Sequence, residues 1–183
     1  MQIIALTGYA QSGKDTVASI LGDYSFQRIA FADPMRIALY ALNPIVYADE
    51  FGVHRLKTII NNLGWDSAKV RYLEIRELLQ RFGTEVGREQ FGSNFWIDLA
   101  MKEAAKHSRV VFSDCRFENE TRAVIDAGGK VFRVVRPGVG AVNGHISDKQ
   151  LPDEMISGVI NNSGTIEDLR AQVFKLLPTQ GLE

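Results

Sequence analysis

A short apolar run, Ile3-Ile4-Ala5-Leu6, leads directly into Gly8-Tyr9-Ala10-Gln11-Ser12-Gly13-Lys14-Asp15-Thr16, and a helical pattern follows. A buried strand, a glycine-bracketed turn and a helix in that order constrain the fold strongly, because they are the first half of a parallel βαβ unit. Gly8 and Gly13 permit the turn and the close approach of an anion. Backbone N–H groups in such a loop point inward, and the positive end of the following helix dipole adds to the attraction.

The loop therefore reads as a nucleotide phosphate cradle built from Gly8, Ala10, Gln11, Ser12, Gly13, Lys14, Asp15 and Thr16. Lys14 is placed to reach the β- and γ-phosphates. One position departs from the common pattern. The residue after the lysine is usually Ser or Thr, whose hydroxyl meets Mg²⁺, whereas here it is Asp15, with Thr16 next. Mg²⁺ accepts one or two carboxylates along with waters and phosphates, so Asp15 is a candidate ligand. An acidic residue in a first helical turn also suits the helix dipole. Both readings stand, and Thr16 is the fallback hydroxyl.

The 183 residues fit a single domain. Hydrophobic residues make up 45% and charged residues 23%, an ordinary globular balance. A net charge of −1 argues against a strongly basic nucleic-acid binder. Cys115 is the single cysteine, which excludes an intrachain disulfide and a multi-cysteine zinc site; a buried thiol is expected. Met1–Leu6 lacks a basic flank and is too short for a signal peptide. No apolar run approaches a membrane span of roughly 18 residues. Cytoplasmic location is expected.

Strands are expected at Gln2–Thr7, Phe26–Phe31, Val110–Ser113, Lys130–Val135 and Ile156–Ile160. Helical patterns cover Lys14–Leu21, Pro34–Leu42 with Asp33 as candidate N-cap, Val70–Phe82, Phe95–His107, Glu118–Ala127 and Thr165–Leu177. The alternation predicts a three-layer α/β/α sandwich around a five-stranded parallel sheet. Asn43–Asp66 reads as a connection, part of a long helical excursion over about 33–107. The glycine-rich stretch over about 136–153 suits a lid.

Ligands of open parallel sheets sit at the carboxyl ends of strands. Asp114 closes the run Val110-Val111-Phe112-Ser113 and is the second candidate for Mg²⁺. Arg116 follows two residues later, where a guanidinium grips phosphate in a fork. Arg36, Arg81, Arg88 and Arg136 are further candidates. Arg81 and Arg88 lie near Phe91, Phe95 and Trp96, an aromatic set suited to stacking a base, although a helical core with solvated arginines explains the same pattern. Asn161-Asn162-Ser163-Gly164 stands where an adenine rests in this fold, with ordinary turn chemistry as the competing reading. His145 has no partner at metal-ligand spacing, so zinc is not expected.

Four motifs occur here together: Ser12-Gly13-Lys14-Asp15-Thr16, Phe31-Ala32-Asp33-Pro34, Asp114-Cys115-Arg116-Phe117-Glu118-Asn119-Glu120 and Asn161-Asn162-Ser163-Gly164. With Leu79–Glu85, Arg88 and Trp96 they resemble the bacteriophage-type deoxynucleoside monophosphate kinases, from residue 3 to about residue 169. The resemblance implies a P-loop kinase fold and transfer of the γ-phosphoryl of ATP, with Mg²⁺, to a deoxynucleoside 5′-monophosphate in the host cytoplasm. The residues themselves lead to expected catalytic roles for Lys14, Arg116 and Arg136, and an expected adenine contact from Asn161. Acceptor contacts fall to Phe31, Asp33, Arg36, Arg81, Arg88, Trp96 and Arg116, and metal contacts to Asp15, Thr16 and Asp114. The family segment H-x-S-E appears here as His145-Ile146-Ser147-Asp148. The oligomeric state stays open in the sequence, with a homodimer the commonest case.

Rival readings are weaker. A dephospho-coenzyme A kinase commonly carries Ser at position 15. A GTPase-type switch needs an N-K-x-D signature, which the chain lacks. A DNA-processing ATPase would carry more basic surface.

Overall fold

A computed structural model describes residues 1–140 and 150–177. In chain order the elements are β1 (Gln2–Thr7), α1 (Lys14–Gly22), β2 (Gln27–Ile29), α2 (Asp33–Leu42), β3 (Ile45–Asp49), β4 (Gly52–Arg55), α3 (Leu56–Arg71), α4 (Leu73–Arg81), a π-helical turn (Phe82–Arg88), α5 (Glu89–Phe91), α6 (Phe95–Ala104), β5 (Arg109–Phe112), α7 (Glu118–Asp126), β6 (Lys130–Val135), a 3₁₀ turn (Asp153–Met155), β7 (Gly158–Asn161) and α8 (Ile166–Phe174). They form two compact units, Met1–Phe31 with Met101–Glu183, and Ala32–Ala100.

The first unit holds a five-stranded sheet in the order β2-β5-β1-β6-β7 with every pairing parallel. Its central strands are continuous apolar runs because helices cover both faces. β1 is buried from Ile3 to Thr7, and Val110, Val111 and Phe112 of β5 are fully buried. Val17, Ala18, Ile20 and Leu21 of α1 pack on this sheet with Leu169 and Val173 of α8. The helix α8 starts from a capping box in which Thr165 Oγ1 accepts from Asp168 N and Asp168 Oδ2 accepts from Thr165 N. Among the described residues no helix is long and apolar enough to cross a membrane.

The second unit departs from the expected connection. The stretch 43–66 contains an antiparallel hairpin, β3 with β4, and most of α3. Gly64 interrupts α3 at φ 70° and ψ 166°, which disguises the helix in the sequence. The helix expected over Val70–Phe82 is broken at Tyr72, whose backbone is extended. It resumes as α4 and then widens into the π-helical turn. Asp33 is not an N-cap: α2 begins at Asp33 itself, after Ala32. The core of this unit is Leu39, Leu56, Ile59, Ile60, Ala68, Ile75 and Leu79.

Candidate active site

The phosphate loop follows β1 because the sequence supplies positive φ where the turn needs it. Gly8 stands at φ 135°, Gln11 at 65° and Gly13 at 101°. Two of these sites also leave no room for a side chain. A Cβ at Gly8 would overlap Val134 O, and one at Gly13 would overlap the amide of Asn162. Gly13 is the N-cap of α1 and offers no side-chain cap, so the first turn keeps N–H groups that a bound anion can satisfy. Ser12 Oγ is buried without a hydrogen-bond partner among the described residues. Ala10, Gln11 and Thr16 are exposed.

Lys14 folds back over the loop. Its Nζ donates to Gly8 O at 2.8 Å and Tyr9 O at 2.7 Å. Burial first, and then the Arg116 charge, hold its pKa below the ordinary lysine value, against the opposing pull of Asp15 and Asp114. An ammonium so placed is a poorly solvated cation, disposed to exchange loop carbonyls for phosphate oxygens.

At the carboxyl end of β5, Asp114 Oδ1 accepts from Phe31 N at 2.7 Å, and the Phe31 ring stacks on Phe112 with centroids 4.4 Å apart. The Asp-x-Arg-Phe-x-Asn-Glu segment has a clear local logic. Glu120 is buried, and its Oε2 accepts from Arg116 N at 2.7 Å and Phe117 N at 3.1 Å. This pins the backbone of Arg116 while its side chain stays exposed. Cys115 is buried, Sγ lies 3.3 Å from Thr121 Oγ1, and burial pushes its thiol pKa up, as suits a packing residue.

Asp15 Oδ1 accepts from Arg28 Nη2 at 2.6 Å, and Arg28 Nε donates to Ser113 Oγ at 3.1 Å. At the end of β7 the residue that touches the loop is Asn162, whose Nδ2 donates to Ser12 O at 2.9 Å. Asn161 is exposed and exchanges two hydrogen bonds with Gln172 through its backbone. Arg28 does not stand out in the sequence, and Asn162 does so only as part of the Asn161-Asn162-Ser163-Gly164 turn. Arg136 is exposed at the end of β6. Of the expected lid over about 136–153, residues 141–149, including His145, lie outside the described residues.

The second unit carries the other predicted arginines. Arg36 Nη1 donates to Asp33 Oδ1 at 3.3 Å within the first turn of α2. Arg81 Nε donates to Glu85 Oε2 at 3.3 Å on an exposed face, and Arg88 is half-buried at the end of the π-helical turn. Trp96 is buried at 8% exposure; its Nε1 donates to Gly83 O at 2.9 Å, and its ring packs with Phe82 and Phe95. Gly87 is required at the face of that indole, since a Cβ there would overlap it.

The oxygen donors Asp15, Thr16 and Asp114 suit a hard cation. Among the described residues no three His, Cys, Asp or Glu side chains form a dedicated metal cage. The donor set therefore fits Mg²⁺ carried mainly by phosphates and water, with one or two protein oxygens.

The sequence is similar to known proteins over most of its length. A protein of Acanthamoeba polyphaga mimivirus, provisionally named a deoxynucleotide monophosphate kinase, is 29% identical over 185 residues, covering 95% of this chain and 95% of that protein. The deoxynucleotide monophosphate kinase of Enterobacteria phage T4 is 24% identical over 246 residues, 97% of this chain and 99% of that protein. Among solved structures, the dephospho-CoA kinase of Campylobacter jejuni superposes with a TM-score of 0.45 at 14% identity over 96% of both chains; that level carries no weight for function. Residues 45–173 match the family described as deoxynucleotide monophosphate kinase. The chain belongs to the deoxynucleotide monophosphate kinase family.

Proposed function

We propose that this protein transfers the γ-phosphoryl group of ATP to a deoxynucleoside 5′-monophosphate, giving ADP and the deoxynucleoside diphosphate. The observation that carries the reading is the uncapped, glycine-turned cradle with Lys14 over it, in a chain of this family.

Phosphoryl transfer needs little covalent chemistry from the protein; positioning and neutralised charge supply most of the rate. In this account residues Gly8 to Thr16 bind the triphosphate through backbone N–H groups. Lys14 exchanges Gly8 O and Tyr9 O for phosphate oxygens and neutralises charge as it develops on the transferred group. Arg116, held at its backbone by Glu120, and Arg136 add cationic stabilisation. Asp114, with Asp15 or Thr16, would hold Mg²⁺, which would supply neutralisation of phosphate charge. Asn161 lies on the adenine side.

The monophosphate is bound by Arg36, Arg81 and Arg88, with Asp33 orienting the sugar or base and Phe31 forming a wall. Trp96, with its N–H engaged by Gly83, contributes by fixing the π-helical turn that ends at Arg88. Base choice belongs to the shape of that pocket, where a methyl or amino group is worth about 1–3 kcal/mol. A homodimer and a cytoplasmic setting complete the proposal.

Coupled detection of ADP release tests it. With ATP and Mg²⁺, release should depend on one or more of the four deoxynucleoside monophosphates, and neither dephospho-coenzyme A nor the absence of acceptor should support it. Equal release in every condition would indicate a simple ATPase.

A further inference from the structure

Arg28, on the edge strand β2, has no role in the account above. Its guanidinium is held at two points: Nη2 on Asp15 Oδ1 at 2.6 Å, and Nε on Ser113 Oγ at 3.1 Å. Ser113 is buried and immediately precedes Asp114. One cation is thus tied both to the carboxylate that follows Lys14 and to the strand end that carries Asp114.

Position 15 is where phosphate loops commonly place a neutral hydroxyl. A bare carboxylate there would confront a bound polyphosphate with like charge. The Arg28–Asp15 pair contributes little to folding, because the two side chains are 54% and 75% exposed. Its effect falls on the field at the mouth of the loop, where a permanently charged, weakly hydrated guanidinium cancels the carboxylate.

We infer that Arg28 is a charge-compensating positioning residue of the phosphate loop, acting through Asp15 to let a nucleotide polyphosphate bind beside a carboxylate. The inference rests on reading the loop as the nucleotide site. It makes a specific demand: Arg28 matters only while position 15 is acidic.

The test is calorimetric binding of ADP and of inorganic tripolyphosphate to the full chain in EDTA, with metal removed from both sides. Arg28→Ala should weaken ADP about tenfold, and the loss should shrink at high salt. Arg28→Gln, which keeps a donor for Ser113 without the charge, should lose as much, and it serves if Arg28→Ala does not fold. In an Asp15→Ser background the same Arg28 changes should add less than twofold. An equal loss in both backgrounds would make Arg28 a direct phosphate ligand or a structural residue and would overturn the inference. So would no loss in either background. If the wild-type protein bound neither ligand, the nucleotide-site reading itself would fail, and this inference with it.

Discussion

Asn162 donates from Nδ2 to Ser12 O at 2.9 Å, joining the turn after β7 to the phosphate loop across 150 residues of sequence. The same amide fills the space over Gly13 that a Cβ would need. Asn162→Ala removes the bond at a net cost of about 1 kcal/mol. The expected result is an ATP dissociation constant raised about fivefold with a smaller change in kcat; an unchanged affinity would detach Asn162 from the loop's geometry.

Lys14→Met should lower kcat by about 10²–10³-fold, the range for removing one preorganised charge stabiliser, while circular dichroism and the thermal midpoint stay near wild type. Wild-type turnover in this variant would refute the mechanism.

Lys14 also leaves a signature in stability. Its pKa is lowered in the folded state from the ordinary 10.5. In the window between the folded value and 10.5 the unfolded chain binds more protons, so the contribution of Lys14 to stability rises with pH there. Urea unfolding of wild type and Lys14→Met at pH 8 and pH 10 should show wild type gaining on the variant at the higher pH. Parallel curves would mean that Lys14 titrates normally.

Gly87→Ala places a methyl group against the Trp96 indole. Overpacking at a buried ring costs about 1–3 kcal/mol, to be read as a lower urea midpoint and a shift in tryptophan emission. Ordinary stability and emission would show that the π-helical turn and Trp96 are not locked together.

The capping box of α8 gives a surface prediction. Thr165→Ala should cost about 1 kcal/mol. The bonds from Thr165 hold Asp168 below its ordinary pKa of 3.8, so these bonds stabilise the fold above that pH and their contribution is lost as pH falls through the folded value. The gap between wild type and Thr165→Ala should therefore narrow in acid by the share carried by the Thr165 Oγ1–Asp168 Oδ2 bond, while the bond from Asp168 N to Thr165 Oγ1 persists in wild type. A gap constant from pH 7 to pH 2.5 would contradict this.

The central sheet was legible because buried parallel strands are short apolar runs: Gln2–Thr7 and Lys130–Val135 stand at the expected bounds. The hairpin β3–β4 was not, since its exposed and half-buried side chains leave no clean alternation. The π-helical turn escaped because what requires Gly83 and Gly87 is Met35 and Trp96 filling the space a Cβ would take, a constraint no local pattern encodes. At the candidate site, the glycines and Lys14 were legible from their type and spacing. Arg28 was not: its reach to Ser113 and Asp15 depends on the register that sets Arg28 opposite Val111. Asn162 meets the loop because side chains alternate at a strand end, where a single residue changes which side chain faces it.

The most direct measurement is transfer of label from [γ-³²P]ATP, with Mg²⁺, to each deoxynucleoside monophosphate, the products being separated by chromatography. The account predicts labelled deoxynucleoside diphosphate from at least one acceptor, abolished by Lys14→Met. Label appearing only as inorganic phosphate, whatever the acceptor, would contradict it.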